Sequence, residues 1–163
     1  MEDILILTTG GTIDKVYFDA KSEYEVGPPN IERVLSELHL SLSYRIHPLM
    51  RKDSLDMTVE DRNIIRDAVT RAPETGILIT HGTDTMVETG RHLMDVKEKT
   101  IVLTGALEPA LFKTSDALFN IGCGLGAVQT SPPGVYIAMN GRIFDCMKVR
   151  KNVAESRFEP AED

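Results

Sequence analysis

Two short segments combine hydroxyls and glycine in a way that could do chemistry. Thr12 follows Gly10-Gly11, and Thr83 follows Gly82 with Asp84 directly after it. Glycine lets the backbone approach a ligand closely and turn successive N–H groups toward one point, as an oxyanion hole requires. A threonine hydroxyl becomes a useful nucleophile only when a base, or a relay ending in a lysine or carboxylate, takes its proton. Taken singly, each loop also reads as a plain Gly/Thr turn, with Asp84 as a helix cap favoured by the dipole. The plainer reading weakens if both loops stand at strand ends of one sheet.

The surrounding pattern puts them there. Ile4-Leu5-Ile6-Leu7, Ile77-Leu78-Ile79, Ile101-Val102-Leu103 and Val135 to Met139 are continuous aliphatic runs of the kind strands show when both faces are covered. Leu42 to Ile46 is a weaker strand candidate. Between them fall helical patterns. Asn30 is placed to cap Ile31, Val34, Leu35 and Leu38. Thr58 with Asp61 opens a second helix with Ile64, Ile65, Ala68 and Val69 on one face. Asp84 to Met94 and Ser115 to Val128 complete the set. Strands alternating with helices predict an α/β fold, a three-layer, mostly parallel sheet with helices on both faces. In such sheets ligands bind at the carboxyl ends of strands, near the switch in strand order. That rule selects residues 8–12, 51–57, 80–84 and 104–106, the segments richest in Gly, Thr and Asp.

Composition narrows the class. At 163 residues the chain has room for one domain, and a net charge of −7 without any basic stripe argues against a nucleic-acid partner. No apolar stretch approaches a membrane span. Residues 1–3 lack a basic leader, which points to the cytoplasm. Cys123 and Cys146 form neither a disulfide framework nor a zinc spacing.

The motifs themselves resemble a known family. Thr8-Thr9-Gly10-Gly11-Thr12-Ile13 and Ile79-Thr80-His81-Gly82-Thr83-Asp84-Thr85-Met86 are similar to the two signatures of the bacterial-type L-asparaginases. Ser22 to Gly27 looks like the hinged active-site loop of that family, and Asp53 to Met57 like its substrate-carboxylate loop. Val102 to Pro109 and Ser115 to Asn120 match later segments. The resemblance covers residues 1–163 as one domain of the amino-terminal asparaginase type, Rossmann/flavodoxin-like, and implies that the carboxy-terminal domain is absent.

It also implies an activity: L-asparagine hydrolysed to L-aspartate and ammonia through a threonine acyl-enzyme, with no metal or organic cofactor. Thr12 would be the nucleophile, completed by Tyr24 or Tyr17. Thr83, Asp84 and Lys151 would form a second hydroxyl–carboxylate–lysine group, with Lys148 as the alternative lysine. Ser54, with Asp53 in the same loop, and the backbone near Gly82 would bind the substrate's α-carboxylate. Asp84 would hold its α-ammonium, Gly11 would line the site, and Ala106 would face the amide nitrogen through its carbonyl. Leu55 departs from the pattern, standing where extracellular members carry a glutamine, and implies weaker binding. A sheet domain without its usual companion implies a homo-oligomer. Glutamine or D-asparagine hydrolysis and a non-catalytic amino-acid-binding module are the alternatives.

Other signals have plainer readings. Gly122 to Ala127 mimics part of a dinucleotide fingerprint but lies within a helix pattern, where glycine serves close packing. His81 is expected to orient its loop. Cys146 reads as a packed thiol. The polar end from Asn152 reads as a tail or a surface that packs on a partner, and its acidic residues as a solvated face.

Overall fold

A computed structural model of the chain describes residues 3–162. Strand β1 (Ile4–Gly10) is followed by a hairpin, β2 (Lys15–Phe18) and β3 (Glu23–Val26), and then by helix α1 (Ile31–Ser36). Next come β4 (Tyr44–Lys52), α2 (Val59–Arg71), β5 (Gly76–Thr80), α3 (Met86–His92), β6 (Thr100–Thr104), α4 (Ala117–Thr130) and β7 (Gly134–Met139). The chain then turns through β8 (Arg142–Asp145) into a second hairpin, β9 (Val149–Asn152) and β10 (Arg157–Pro160).

The main sheet has the order β4-β1-β5-β6-β7-β8, parallel except for β8. Its parallel part is the flavodoxin-like doubly wound order, so the α/β, three-layer expectation holds. Alternate residues of each central strand feed opposite cores. Leu5, Leu7, Ile77, Ile79, Ile101 and Leu103 pack with Ile65 and Val69 of α2 and Met86 of α3. On the other face Ile4, Ile6, Leu78 and Val102 meet Ile31 and Leu35 of α1 and Ile121 and Leu125 of α4. The two faces are covered by different helices, which is why the strands read as unbroken aliphatic runs.

Several local expectations need correction. The Thr58–Asp61 capping box forms, but Asn30 occupies the start of α1 without a side-chain cap bond. Its backbone N–H donates to Asp14 Oδ1 at 2.9 Å, and its side-chain Nδ2 donates to the Ile13 carbonyl at 3.4 Å. Leu38 lies beyond the end of α1 and is exposed, and Ile64 faces solvent from α2. Asp84 caps nothing, because α3 begins at Met86 with Thr85 at its N-cap position. The weak strand expected over Leu42 to Ile46 begins instead at Tyr44 and runs on to Lys52, with Pro48 tolerated because β4 is at the sheet edge. Asn140-Gly141, both at positive φ, turn β7 into β8. This dipeptide between apolar runs is a hairpin signal in its own right.

The chain end is no loose tail. Phe158 and Val149 are buried in the core under α3, and the Phe158 amide donates to Asn140 Oδ1 at 2.7 Å. Glu159, expected on a solvated face, pairs with Arg150 and Arg157 and accepts from Asn152. Within α4, Gly124 packs as expected, since a Cβ there would lie 2.8 Å from Leu78 Cδ1, whereas Gly122 and Gly126 face open space. No helix among the described residues is long and apolar enough to cross a membrane.

Candidate active site

The strand order reverses at β1, which lies between β4 and β5. The two glycine–threonine loops leave the carboxyl ends of β1 and β5, so they flank the crevice where doubly wound sheets hold ligands. They touch through backbone. Gly11 has φ 87°, and a Cβ on it would lie 2.4 Å from the Gly82 nitrogen. A Cβ on Gly82 would in turn lie 2.7 Å from Ser54 Oγ. Any side chain at these positions would pry the three loops apart. Thr9 Oγ1 donates to the Thr80 carbonyl at 2.8 Å and ties the strand ends together.

Thr12 opens a short 3₁₀ turn (Thr12–Asp14) at the rim of this crevice. It is half-buried, and among the described residues its hydroxyl has no hydrogen-bond partner. The hairpin β2–β3 rises directly from that turn. Tyr17 and Tyr24 stand opposite each other across its ladder, ring centroids 5.4 Å apart and edge-on, and Tyr24 also meets Phe112 at 5.8 Å. Both tyrosines are therefore on one face of the hairpin, and both are half-exposed.

On the other side of the crevice Lys151 reaches in from β9. Its Nζ donates to Thr83 Oγ1 at 2.8 Å and to Asp84 Oδ1 at 2.8 Å. Residues 67 and 68 positions apart in sequence thus form one cluster, with the lysine side chain 16% exposed. Lys148 lies exposed on the turn before β9, and among the described residues its side chain makes no hydrogen bond or ion pair to this cluster. Cys146, the first residue of that turn, is buried against Gly90, and burial pushes its thiol up to about 11, so it is a packed, unreactive thiol.

Ser54 is buried in a turn that Asp53 caps by accepting from the Leu55 amide at 3.0 Å. Asp53 also pairs with Lys15 at 3.3 Å, and the turn amide and this cation hold its carboxyl below the ordinary range. Leu55 is 70% exposed. Thr85 grips Ser54 twice: its amide donates to Ser54 Oγ at 3.2 Å and its hydroxyl to the Ser54 carbonyl at 2.9 Å. Ala106 is buried in the loop after β6. Asn120 Nδ2 holds the Gly105 carbonyl at 2.9 Å, and Asp116 accepts from the Leu107 amide at 3.0 Å.

Behind these loops lies a support built on His81, with Thr89 and Arg62, which the sequence motifs do not single out, behind it. His81 is fully buried. Its Nδ1 lies 2.7 Å from the Gly82 carbonyl and its Nε2 2.7 Å from Thr89 Oγ1. A carbonyl only accepts, so Nδ1 carries the proton and Nε2 accepts from the threonine. Arg62 of α2 donates to Thr89 Oγ1 at 3.0 Å and to Thr85 Oγ1 at 2.9 Å. Nothing in the sequence sets Arg62 apart from Arg66 or Arg71 on the same helix. His81 is thus the loop-orienting residue that its place in the motif suggested.

Burial, reinforced by the Arg62 charge, pushes the His81 pKa down to about 4. The unfolded chain therefore takes up this proton first. Stability from neutral His81 is complete above the ordinary value of 6.5 and is lost as pH falls toward 4, a swing of about 3 kcal/mol. Asp14 acts in the opposite sense: burial raises it to about 6, so the fold gains as pH drops through that value. Replacing His81 by Gln should remove the destabilising limb. Between pH 7 and pH 4.5 the variant should lose less thermal stability than the wild type, and a constant gap between their melting temperatures would refute neutral His81.

Known proteins share this fold. The family described as asparaginase, N-terminal, matches residues 3–159, and the chain belongs to it. A probable periplasmic L-asparaginase of Haemophilus influenzae is 32% identical over 93% of this chain and 46% of its own length. A glutamyl-tRNA(Gln) amidotransferase subunit of Methanococcus vannielii is 31% identical over 93% of this chain and 39% of its own. The structure of a probable cytoplasmic L-asparaginase from Campylobacter jejuni superposes with a TM-score of 0.85 at 26% identity, covering 98% of this chain and 54% of that one. The chain spans about half the length of these relatives or less.

Proposed function

We propose that the chain is an L-asparagine amidohydrolase working through a Thr12 acyl-enzyme. The observation that carries the reading is the Lys151 bridge to Thr83 and Asp84, in a loop whose Gly82 packs against Gly11, the residue before Thr12. Thr12 Oγ1 attacks the side-chain amide carbon, and its proton passes to the departing amide nitrogen, which leaves as ammonia. Tyr24 or Tyr17 assists that transfer. Water then attacks the ester and passes a proton to Thr83 as Thr83 passes its own to the Lys151 amine; Asp84 stabilises the ammonium so formed, and the proton returns by the same relay to Thr12 as its C–O bond to the acyl group breaks. The hydrolysed product is aspartate, and Thr12 regains its proton.

Substrate placement follows from which groups are still free. Asp84 gives Oδ1 to Lys151, leaving Oδ2 for the α-ammonium. Ser54 Oγ accepts from Thr85, leaving its own proton for the α-carboxylate. The Ala106 carbonyl suits the amide N–H. Release of ammonia from L-asparagine by the purified chain tests the proposal, and its absence would favour the non-catalytic amino-acid-binding reading. The amidotransferase subunit among the relatives keeps another amide, such as glutamine, as the second reading.

The Leu55 side chain supplies no hydrogen-bond donor to the substrate. Each lost hydrogen bond to a charged group costs about 1.5–3 kcal/mol, and about 1.4 kcal/mol is tenfold in affinity. The KM for asparagine is therefore expected in the high micromolar to millimolar range, with glutamine worse because its longer chain carries the amide past Thr12. Initial rates on both amides check this. A KM near ten micromolar, or equal rates on glutamine, would mean that an unidentified group closes the site.

The half-exposed Leu118, Phe119 and Ile143 support association with another copy. Light scattering should give a mass above the 18.1 kDa of one chain. A stable monomer at micromolar concentration would remove that idea. The Campylobacter neighbour's cytoplasmic description supports the same compartment here.

A further inference from the structure

We infer that Arg62 is a positioning residue that orients and polarises the Ser54 hydroxyl toward an anionic group of the ligand, an inference that rests on the carboxylate-binding reading of Ser54. The Arg62 residue is only 9% exposed. A buried guanidinium ordinarily has a buried carboxylate beside it. Here its only ion pair among the described residues is a long one, 3.5 Å to the exposed Glu88. Its other donors go to neutral oxygens: Thr85 Oγ1, Thr89 Oγ1 and, at 3.3 Å, the Met57 carbonyl. The cation is therefore held in place without being neutralised inside the fold.

Its two threonine contacts lead to the two sides of the same cradle. Through Thr85 the relay runs from guanidinium to hydroxyl and from that hydroxyl to the Ser54 carbonyl, which fixes Thr85 where its backbone N–H donates separately to Ser54 Oγ. With one lone pair so occupied, Ser54 has its own proton left to donate outward. Through Thr89 the relay runs to His81 and on to the Gly82 carbonyl, fixing the backbone that lies against Ser54. A donor polarised by a cation behind it binds an anion better than a neutral one does. The positive field behind the cradle also opposes protonation of His81, so the donor chain keeps one direction.

The test compares wild type with Arg62→Met, Arg62→Lys and Thr85→Val. It measures steady-state kinetics on L-asparagine, calorimetric binding of L-aspartate, and melting temperature. Arg62→Met should raise the asparagine KM and the aspartate Kd about tenfold or more while kcat changes less than threefold, the split expected when ground-state binding is lost. Arg62→Lys should recover part of that loss, because the charge returns without the planar fork. Thr85→Val keeps the cation and breaks one relay, so it should shift KM in the same direction by less, and it serves if Arg62→Met does not fold. A KM and Kd within twofold of wild type in these variants would overturn the inference. So would a kcat that falls with melting temperature at unchanged KM. If the wild type binds aspartate through Arg62 but releases no ammonia, hydrolysis fails and this inference stands. If the wild type neither binds nor hydrolyses, both fail.

Discussion

Thr12→Ala should abolish ammonia release from L-asparagine and leave the fold intact. The hydroxyl is half-buried at the crevice rim and bonds to nothing among the described residues, so its removal should alter stability by less than about 1 kcal/mol. The chemical loss is of another order. Without the nucleophile there is no covalent intermediate, and kcat should drop by about 10³-fold or more. Thr12→Ser keeps an oxygen in the same place and should retain partial activity. Near wild-type kcat in Thr12→Ala, with melting temperature unchanged, would assign the nucleophile elsewhere.

Lys151→Met carries the second large effect. Methionine preserves much of the stem volume but removes both 2.8 Å hydrogen bonds, leaving the Thr83 hydroxyl without its cation and Asp84 without its ion-pair partner. Proton movement through that group then loses its driving partner, and kcat should fall about 10²–10⁴-fold. Lys148→Met alters an exposed side chain and should change kcat little. The reverse ranking would move the proton relay to Lys148.

The parts of this molecule that are legible in sequence share a physical cause. Strands covered on both faces must be aliphatic throughout, so β1, β5, β6 and β7 announce themselves, and with them the loops at their ends. Thr12, Thr83, Asp84 and Ser54 stand out because glycine and hydroxyl residues cluster where backbone must come close. What stays hidden depends on single burial events. Phe158 anchors a four-residue strand whose other residues, Arg157, Glu159 and Pro160, look like a polar tail. Arg62 turns inward from a helix whose other arginines turn outward, and only the third dimension distinguishes them. Ile64 and Leu38 fit a helical spacing that the ends and tilts of α1 and α2 do not respect. The two tyrosines are ambiguous for a structural reason: being opposite one another on a single hairpin, they occupy one face together.

Lys151 is not on the main sheet. It belongs to a two-stranded hairpin held by Val149, Phe158 and the Asn140 contact, and two strands alone are marginal in water. Such a unit can open while the six-stranded sheet and its helices stay folded, because cooperative subunits of a protein release at different free energies. Competence and foldedness are then separate properties of one chain. A population that looks native by its helix signal would contain molecules whose lysine has swung away from Thr83, and mild heat or denaturant would enrich them first. The working lifetime of the site is set by the weakest hinge that delivers a group to it, not by the stability of the domain that surrounds it.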